Sequence, residues 1–538
     1  MNKIIFETLK GILEDNKETE FGKNHHFSEI NTIEEYKKQV PLSTYDDYEE
    51  CINRMKKGEK NILTAYPVAN YYCTSGTSGP QKLIPVTLKA FQVATTVIKK
   101  EIKLINIHQN EKEKTLFMSV FNVDLNNAEN KTLLMSEGFY YFAYKFKVMD
   151  FNKYIDKDLM FDPDTFDFLY EKVWCGILEE NLVSMESTYM YGILQFFNYL
   201  EKNYKEIISD IRNKRIDPEK KLSEKAKNFL LNLKYSEERL NFVEKECEKG
   251  FKNIATRIWK NFRLVSGVTS KALKYQNESL EYFIGDINID TYVFAMSEGL
   301  VGLSVEYNSC DYNIEPTGGF FEFLPYSEDN NEDNNNSNET KNLNEVEPGK
   351  TYELVITTFS GLYRYKTSDI LKIVSNDSNG VFFEFSSRKN RNFSFIGEKT
   401  NYCHLEDVME KMHEIIPGIL EYKLGATIYK NVGTYFLILC LLDKENLNIS
   451  LDELATKFDT WLGKTNTVYQ GFRNIKALGA PKVILIDTKE YSELFQTDIS
   501  KKRHNKAKVL LSEQELKDIL KKLKIWLSQC LLSVAVHH

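Results

Sequence analysis

No Cys-x-x-Cys pair occurs in this chain of 538 residues, whose eight cysteines (51, 73, 175, 247, 310, 403, 440 and 530) are scattered. That spacing indicates neither a zinc site nor a disulfide framework and fits reduced thiols in a cytosolic protein. No apolar run approaches the roughly 20 residues that a membrane-spanning helix requires. The N-terminal Met1-Asn2-Lys3-Ile4-Ile5-Phe6 leads into a charge-rich amphipathic helix and lacks the apolar core and cleavage site of a signal peptide. A soluble, cytoplasmic protein without membrane insertion is expected. Basic residues are not in excess either: the formal charge is −8, and Asp and Glu are interspersed among the lysines, so no footprint for nucleic acid is present. With 42% hydrophobic and 13% aromatic residues the chain is globular, and its length predicts two or three domains of unequal size.

The most informative stretch is Tyr71-Tyr72-Cys73-Thr74-Ser75-Gly76-Thr77-Ser78-Gly79-Pro80-Gln81-Lys82-Leu83-Ile84-Pro85. It reads as strand, tight loop, strand. Its glycines allow close backbone approach, its main-chain N–H groups and the hydroxyls of Ser75, Thr77 and Ser78 can donate to phosphate oxygens, and Lys82 adds positive charge. The spacing is not that of a P-loop. A Ser/Thr/Gly loop also serves as a plain solvated turn.

Helical spacing (Phe6, Leu9, Leu13) marks residues 1–60, with Thr44-Tyr45-Asp46-Asp47-Tyr48 capping another helix; 88–105 reads as helix and Thr115–Val120 as a buried strand. Long helical segments with many aromatics follow from Phe166 to Lys202 and on to about Glu248. Trp174, Tyr189, Tyr191, Phe196, Phe197 and Tyr199 are read there as packing core, with an apolar substrate pocket as the sharper alternative. Strand Thr291–Met296 stops at Ser297-Glu298-Gly299, which places a carboxylate just past a strand end, where it could hold a divalent cation or be solvated in a turn. Strand Phe320–Pro325 runs into an Asn/Asp/Glu-rich insertion, disordered over about 327–342. Tyr352–Phe359 and the segment to Ile370 form a hairpin whose return strand carries Asp369, either a partner for ribose hydroxyls or the ion-pair partner of Arg364 or Lys366. Beyond the charged break Ser386–Asn392 a small α+β module is expected: helices near 404–416, 451–464 and 512–530, strands Tyr422–Tyr429, Tyr435–Leu442 and Lys482–Asp487. Lys399 falls on a loop at its start.

Three of these segments, in this order and widely separated, resemble the nucleotide motifs of the Gretchen Hagen family of acyl-acid amido synthetases, within the adenylate-forming superfamily. They are Thr74–Gly79 with Lys82 and Pro85, Phe294-Ala295-Met296-Ser297-Glu298-Gly299, and Gly361-Leu362-Tyr363-Arg364-Tyr365-Lys366-Thr367-Ser368-Asp369. Phe321-Glu322-Phe323-Leu324-Pro325, Tyr352-Glu353-Leu354-Val355 and Glu398-Lys399-Thr400 also look like family segments. The resemblance implies an α/β fold: a large N-terminal domain of β-sheets flanked by helices plus a small β-barrel (residues 1–387), a hinge at 388–392, and a smaller mobile α+β lid (393–538). It implies ATP and Mg2+, with Ser75, Gly76, Thr77 and Ser78 on the phosphates, Phe294 on adenine, Ser297 in the nucleotide site, Glu298 on magnesium, Asp369 on the ribose and Lys399 at the α-phosphate. Glu298 and Lys399 would be the catalytic pair. The substrates implied are a small-molecule carboxylic acid and an amino acid.

The chain departs from the family pattern at Phe294, Met296, Gly299, Lys366 and Ser368, where the family carries tyrosine, serine, cysteine or alanine, arginine and glycine. Lysines 501, 502, 506 and 508 are all candidates for an end-of-chain catalytic lysine. Two alternatives stand beside the amido synthetase: a thioester-forming synthetase, marked by a response to coenzyme A, and an inactive relative acting as a regulatory binding module. Retention of Glu298, Asp369 and Lys399 argues against the last.

Overall fold

A computed structural model describes residues 2–73, 82–104, 108, 110–119, 121, 123, 125, 132–268, 280–326, 339–388, 394–398, 400, 402–416, 419–441, 449–495 and 510–524. Ser75, Gly76, Thr77 and Ser78, the insertion 327–338, Lys399, and lysines 501, 502, 506 and 508 lie outside the described residues. The described chain divides into two compact units, one ending at Arg388 and one beginning at Ser394.

Three sheets build the first unit. Strands β1 (Val68–Cys73) and β2 (Leu83–Thr87) form an antiparallel hairpin closed by the pair Cys73 and Leu83, so the predicted strands flank the phosphate-loop sequence. Strands β3 (Lys114–Phe117), β4 (Leu182–Tyr189), β5 (Leu264–Val268) and β6 (Asn288–Asp290) form a four-stranded parallel sheet in that order. Strand β4 corrects the helical reading of Phe166–Lys202: helix Phe168–Leu178 stops, β4 crosses the sheet, and helix Met190–Arg212 follows. The eight residues of β4 are half polar yet mostly buried, and they carry no period of 2 that separates them from a helix. Of the aromatics expected in the core, Trp174, Phe196 and Phe197 are there, whereas Tyr189 and Tyr199 are half-buried. Trp174, Phe196, Phe197 and Trp259 are fully buried, and the Trp259 indole N–H donates to the Gly176 and Glu179 carbonyls at 3.1 and 3.0 Å.

Strands β7 (Val293–Met296), β8 (Gly299–Ser304), β9 (Asp311–Ile314), β10 (Phe320–Tyr326), β11 (Lys341–Asn342), β12 (Thr351–Thr357), β13 (Tyr365–Asp377) and β14 (Gly380–Arg388) form one antiparallel sheet, ordered β11-β10-β12-β13-β14-β9-β8-β7. Two further boundaries move. Residues 339–342 are ordered rather than part of the expected disordered insertion, because Thr340 is buried with its hydroxyl on Glu322 and β11 pairs with β10. The expected break Ser386–Asn392 opens inside β14, where Arg388 pairs with Asp369.

In the second unit β15 (Ile419–Tyr429) and β16 (Val432–Leu441) are antiparallel, and β17 (Lys482–Ile486) joins β16 in parallel. Helices Tyr402–Ile415, Leu451–Thr465 and Glu513–Lys522 match the expected helices to within a few residues over the described range. Phe436, Ile438, Ile486, Tyr491, Leu516 and Leu520 form its core. No helix among the described residues is long and apolar enough to cross a membrane.

Candidate active site

At the carboxyl ends of β4 and β5 the first unit encloses a cavity of about 190 Å³ with predominantly apolar walls. This is the edge at which parallel sheets present ligands, since the helices that cover their faces leave it open. Glu186, Ser187 and Thr188 of β4 and Ser266, Gly267 and Val268 of β5 line it. Helix Leu88–Leu104 supplies Phe91, Ala94 and Ile98, and helix Met135–Lys145 supplies Phe139 and Tyr140. The remaining wall is the β7–β8 hairpin with the loop Thr358–Ser360. The apolar lining therefore comes from residues 72–140 and 292–300, with Val268 and Phe359, rather than from the aromatics of 166–202. A larger, open hollow of about 460 Å³ beside Glu281, Asn308 and Cys310 contains none of the motif residues.

Met296 and Gly299 close the β7–β8 hairpin, so Ser297 and Glu298 are its two turn residues, and both line the cavity. Glu298 is only 7% exposed, which corrects the alternative of a glutamate solvated in a turn. A side chain at position 299 would fit: a Cβ there meets only the Thr358 methyl, at 3.7 Å. Phe294 lies on the other face of β7, with its ring 5.3 Å from Phe383 and 5.5 Å from Tyr312, while Val293 and Ala295 face the cavity.

Asp369 is buried on β13. A register shift between Glu353 and Val355 sets Thr367, Ser368 and Asp369 opposite Leu354 alone. The Thr367 hydroxyl pins this bulge, donating to the Leu354 carbonyl at 2.9 Å and accepting from the Asp369 N–H at 3.1 Å. Ser368 takes a left-handed conformation, φ 64°, which explains a glycine in the family pattern at this position. Arg364 is not the partner of Asp369. Its guanidinium meets both Glu322 oxygens at 2.9–3.1 Å and also holds the Lys37 and Val40 carbonyls, each at 2.8 Å. Two motif segments read separately in the sequence are thus one buried ion pair.

In the second unit the neighbours of Lys399 are fixed from both sides. Glu398 is fully buried and accepts the Phe395 and Ile396 N–H groups at 2.7 and 2.8 Å and the Tyr435 hydroxyl. Burial pushes its carboxyl above the usual carboxylate range, and these hydrogen bonds oppose that rise. The Asn466 amide donates to the Glu398 carbonyl at 2.9 Å and to the Thr400 hydroxyl at 3.2 Å.

Sequence reasoning missed Glu186. The Tyr140 and Tyr154 hydroxyls donate to its two oxygens, the latter at 2.6 Å, and burial raises its carboxyl while those bonds oppose the rise. Flanked by Ser184, Ser187 and Thr188, it carries no motif, and the helical reading of that segment hid its place on a strand.

Comparisons with known proteins agree with this architecture. The GH3 family N-terminal domain model matches residues 1–289 and the GH3 family central domain model residues 312–388. Indole-3-acetic acid-amido synthetase GH3.3 of Arabidopsis thaliana is 26% identical over 524 residues, covering 92% of this chain and 86% of the relative. Indole-3-acetic acid-amido synthetase GH3.8 of Oryza sativa subsp. indica is 26% identical over 431 residues, 76% and 70% of the two chains. Among solved structures, AtGH3.15 acyl acid amido synthetase in complex with 2,4-DB superposes with TM-score 0.64 at 22% identity, over 97% of this chain and 93% of that one. A 2-hydroxyisobutyryl-CoA ligase shares the fold at TM-score 0.50 and 12% identity, over 97% and 92%. The chain belongs to the GH3 family.

Proposed function

We propose that this chain is an ATP-dependent ligase that activates a carboxylic acid as its acyl-adenylate and passes the acyl group to the amine of an amino acid. The observation that carries this reading is the Ser297–Glu298 turn opening onto an apolar cavity, in a chain whose family relatives are named amido synthetases. A carboxylate oxygen of the acid attacks the α-phosphorus of ATP and pyrophosphate leaves. The amine nitrogen then attacks the acyl carbon, the carbon–oxygen bond to AMP breaks, and an amide forms. Such a site has little covalent work to do, so its contribution is positioning and charge stabilisation.

The roles follow the chemistry of each residue. Ser75, Gly76, Thr77 and Ser78, in the loop between β1 and β2, take the phosphates; Ser297 adds a hydroxyl; Asp369 takes the ribose hydroxyls; Lys399, between the fixed residues Glu398 and Thr400, neutralises charge at the α-phosphate. Phe294 offers an aromatic face to adenine from within its cluster with Phe383 and Tyr312. Glu298 fits magnesium: it is a buried carboxylate at the cavity wall, and magnesium takes one or two carboxylates and completes its shell with water and phosphate oxygens. No group of three or more His, Cys, Asp or Glu side chains fit for a metal occurs among the described residues. The ion would supply charge neutralisation on the phosphates. Reorientation of the second unit about 388–392 would exchange the adenylating and transferring geometries. A cytoplasmic location accords with the scattered cysteines, none of them in a Cys-x-x-Cys pair.

The test is pyrophosphate release from ATP with a panel of carboxylic acids, each with amino acids, with coenzyme A, or with neither. Acid-dependent release that rises with amino acids, and an amide product by mass spectrometry, is the expected result; stimulation by coenzyme A alone would replace it with a thioester synthetase. Glu298→Gln should lower acid-dependent release by about a hundredfold or more, since charge stabilisation at a phosphate is worth several kcal/mol. Near-normal release in that variant would remove Glu298 from the site.

A further inference from the structure

The wall of the cavity carries a carboxyl group that the adenylating chemistry leaves unused. Glu186 on β4 stands opposite Ser266 on β5, and Ser266 opposite Asp290 on β6, forming a polar row across the end of the parallel sheet. Tyr140 and Tyr154 each donate to one Glu186 oxygen, which fixes the side chain and leaves a second lone pair on each oxygen. Tyr140 is itself held by its ring, stacked 5.1 Å from Phe121 and tilted 4.8 Å from Phe117. Glu186 and Tyr140 both line the cavity, whose walls are mainly apolar, Phe91, Phe139 and Val268 among them, with Ser187, Thr188 and Ser266 as polar neighbours in the lining.

A group that accepts through both oxygens complements a donor and not a second carboxylate. At the wall of a mainly apolar cavity, it is costly to cover with a hydrocarbon and gains from a ligand that offers an N–H or O–H. A bound acid would therefore turn its carboxylate away from Glu186 and bring its remote end to it. We propose that Glu186, fixed by Tyr140 and Tyr154, selects acids whose end remote from the carboxyl carries a hydrogen-bond donor, a hydroxyl or an ammonium group. This rests on the reading of the cavity as the acyl-acid site.

The test is direct binding to the full chain by titration calorimetry, without ATP, which separates it from the test of adenylation. Two series serve as probes: hexanoate, 6-hydroxyhexanoate and 6-aminohexanoate; and phenylacetate, 4-hydroxyphenylacetate and 4-(aminomethyl)phenylacetate. In at least one series a donor-bearing acid should bind about tenfold or more tighter than its parent, as expected where a missing partner would leave a buried polar group unpaired. Glu186→Leu should abolish that preference. Glu186→Gln, which keeps a carbonyl acceptor, should retain the hydroxyl preference and lose the ammonium one, and it decides the matter should Glu186→Leu fail to fold. Affinities within threefold across both series, no saturable binding of any probe, or a preference unchanged in both variants would overturn the proposal. Which donor wins separates a neutral from a charged tail.

Discussion

Arg364 holds the chain together at a point where its own backbone is strained. Its φ is 48°, a conformation that costs a side-chain-bearing residue about 1–2 kcal/mol, and it persists because the guanidinium is fully engaged by Glu322 and by the Lys37 and Val40 carbonyls. Removing one member of a buried pair leaves the other charge uncompensated, at about 3–5 kcal/mol. Glu322→Ala and Arg364→Ala should each lower the urea unfolding free energy by that amount, and the double variant by much less than their sum. Arg364→Lys should not restore stability, because an ammonium cannot fill the planar fork. Ser368 is the opposite case. It too is left-handed, at φ 64°, and relief of about 1–2 kcal/mol on Ser368→Gly exceeds the roughly 0.5–1 kcal/mol of added unfolded-chain entropy. The glycine variant should melt slightly higher than the parent; a lower midpoint would show that the serine side chain contributes more than its strain costs.

At the scale of elements, Glu398 and Thr400, the residues on either side of Lys399, are held by their neighbours. Glu398 accepts two backbone N–H groups and a tyrosine hydroxyl, and Asn466 ties the far side through Thr400. Glu398→Ala removes the acceptor for all three and should depress pyrophosphate release, with a fall in the melting midpoint. Tyr435→Phe, which deletes one donor, should do less of both. Which elements could be read from sequence follows the same physics. The second unit was legible because its helices begin at Ser450 and Ser512 caps and its strands are bounded by turns. The turn at Ser297–Glu298 was legible because a short continuous apolar run, Tyr292–Met296, halts at polar residues. Strand β4 was not, since burial on both faces erases the period of 2. The Arg364–Glu322 pair was not either: contacts between segments 42 residues apart leave no local trace in composition.

The whole molecule responds to pH through a buried cluster in its first unit. Lys172 forms an ion pair with Asp156, and its Nζ stands 3.1 Å from Glu171 Oε1, all three side chains being fully buried. Burial pushes the Glu171 carboxyl up to about 7, with the Lys172 charge opposing. A group whose folded value lies above its unfolded one adds stability that is complete below about 4.5 and is lost as pH rises through about 7. Glu171→Gln should therefore gain on the parent by on the order of 2–3 kcal/mol between pH 4.5 and 8, measured as the difference between their urea unfolding curves. Parallel pH curves would remove Glu171 from the account.

The row formed by Phe117, Glu186, Ser266 and Asp290 also has a kinetic meaning. Its members come from four stretches of chain, and parallel strands pair only after their long connections have closed. The cavity wall is thus completed late, and a chain interrupted before residue 290 lacks its last strand. A small acid that fills this cavity binds finished molecules alone, so by mass action it would slow the loss of weakened variants such as Arg364→Ala and act on them as a chaperone.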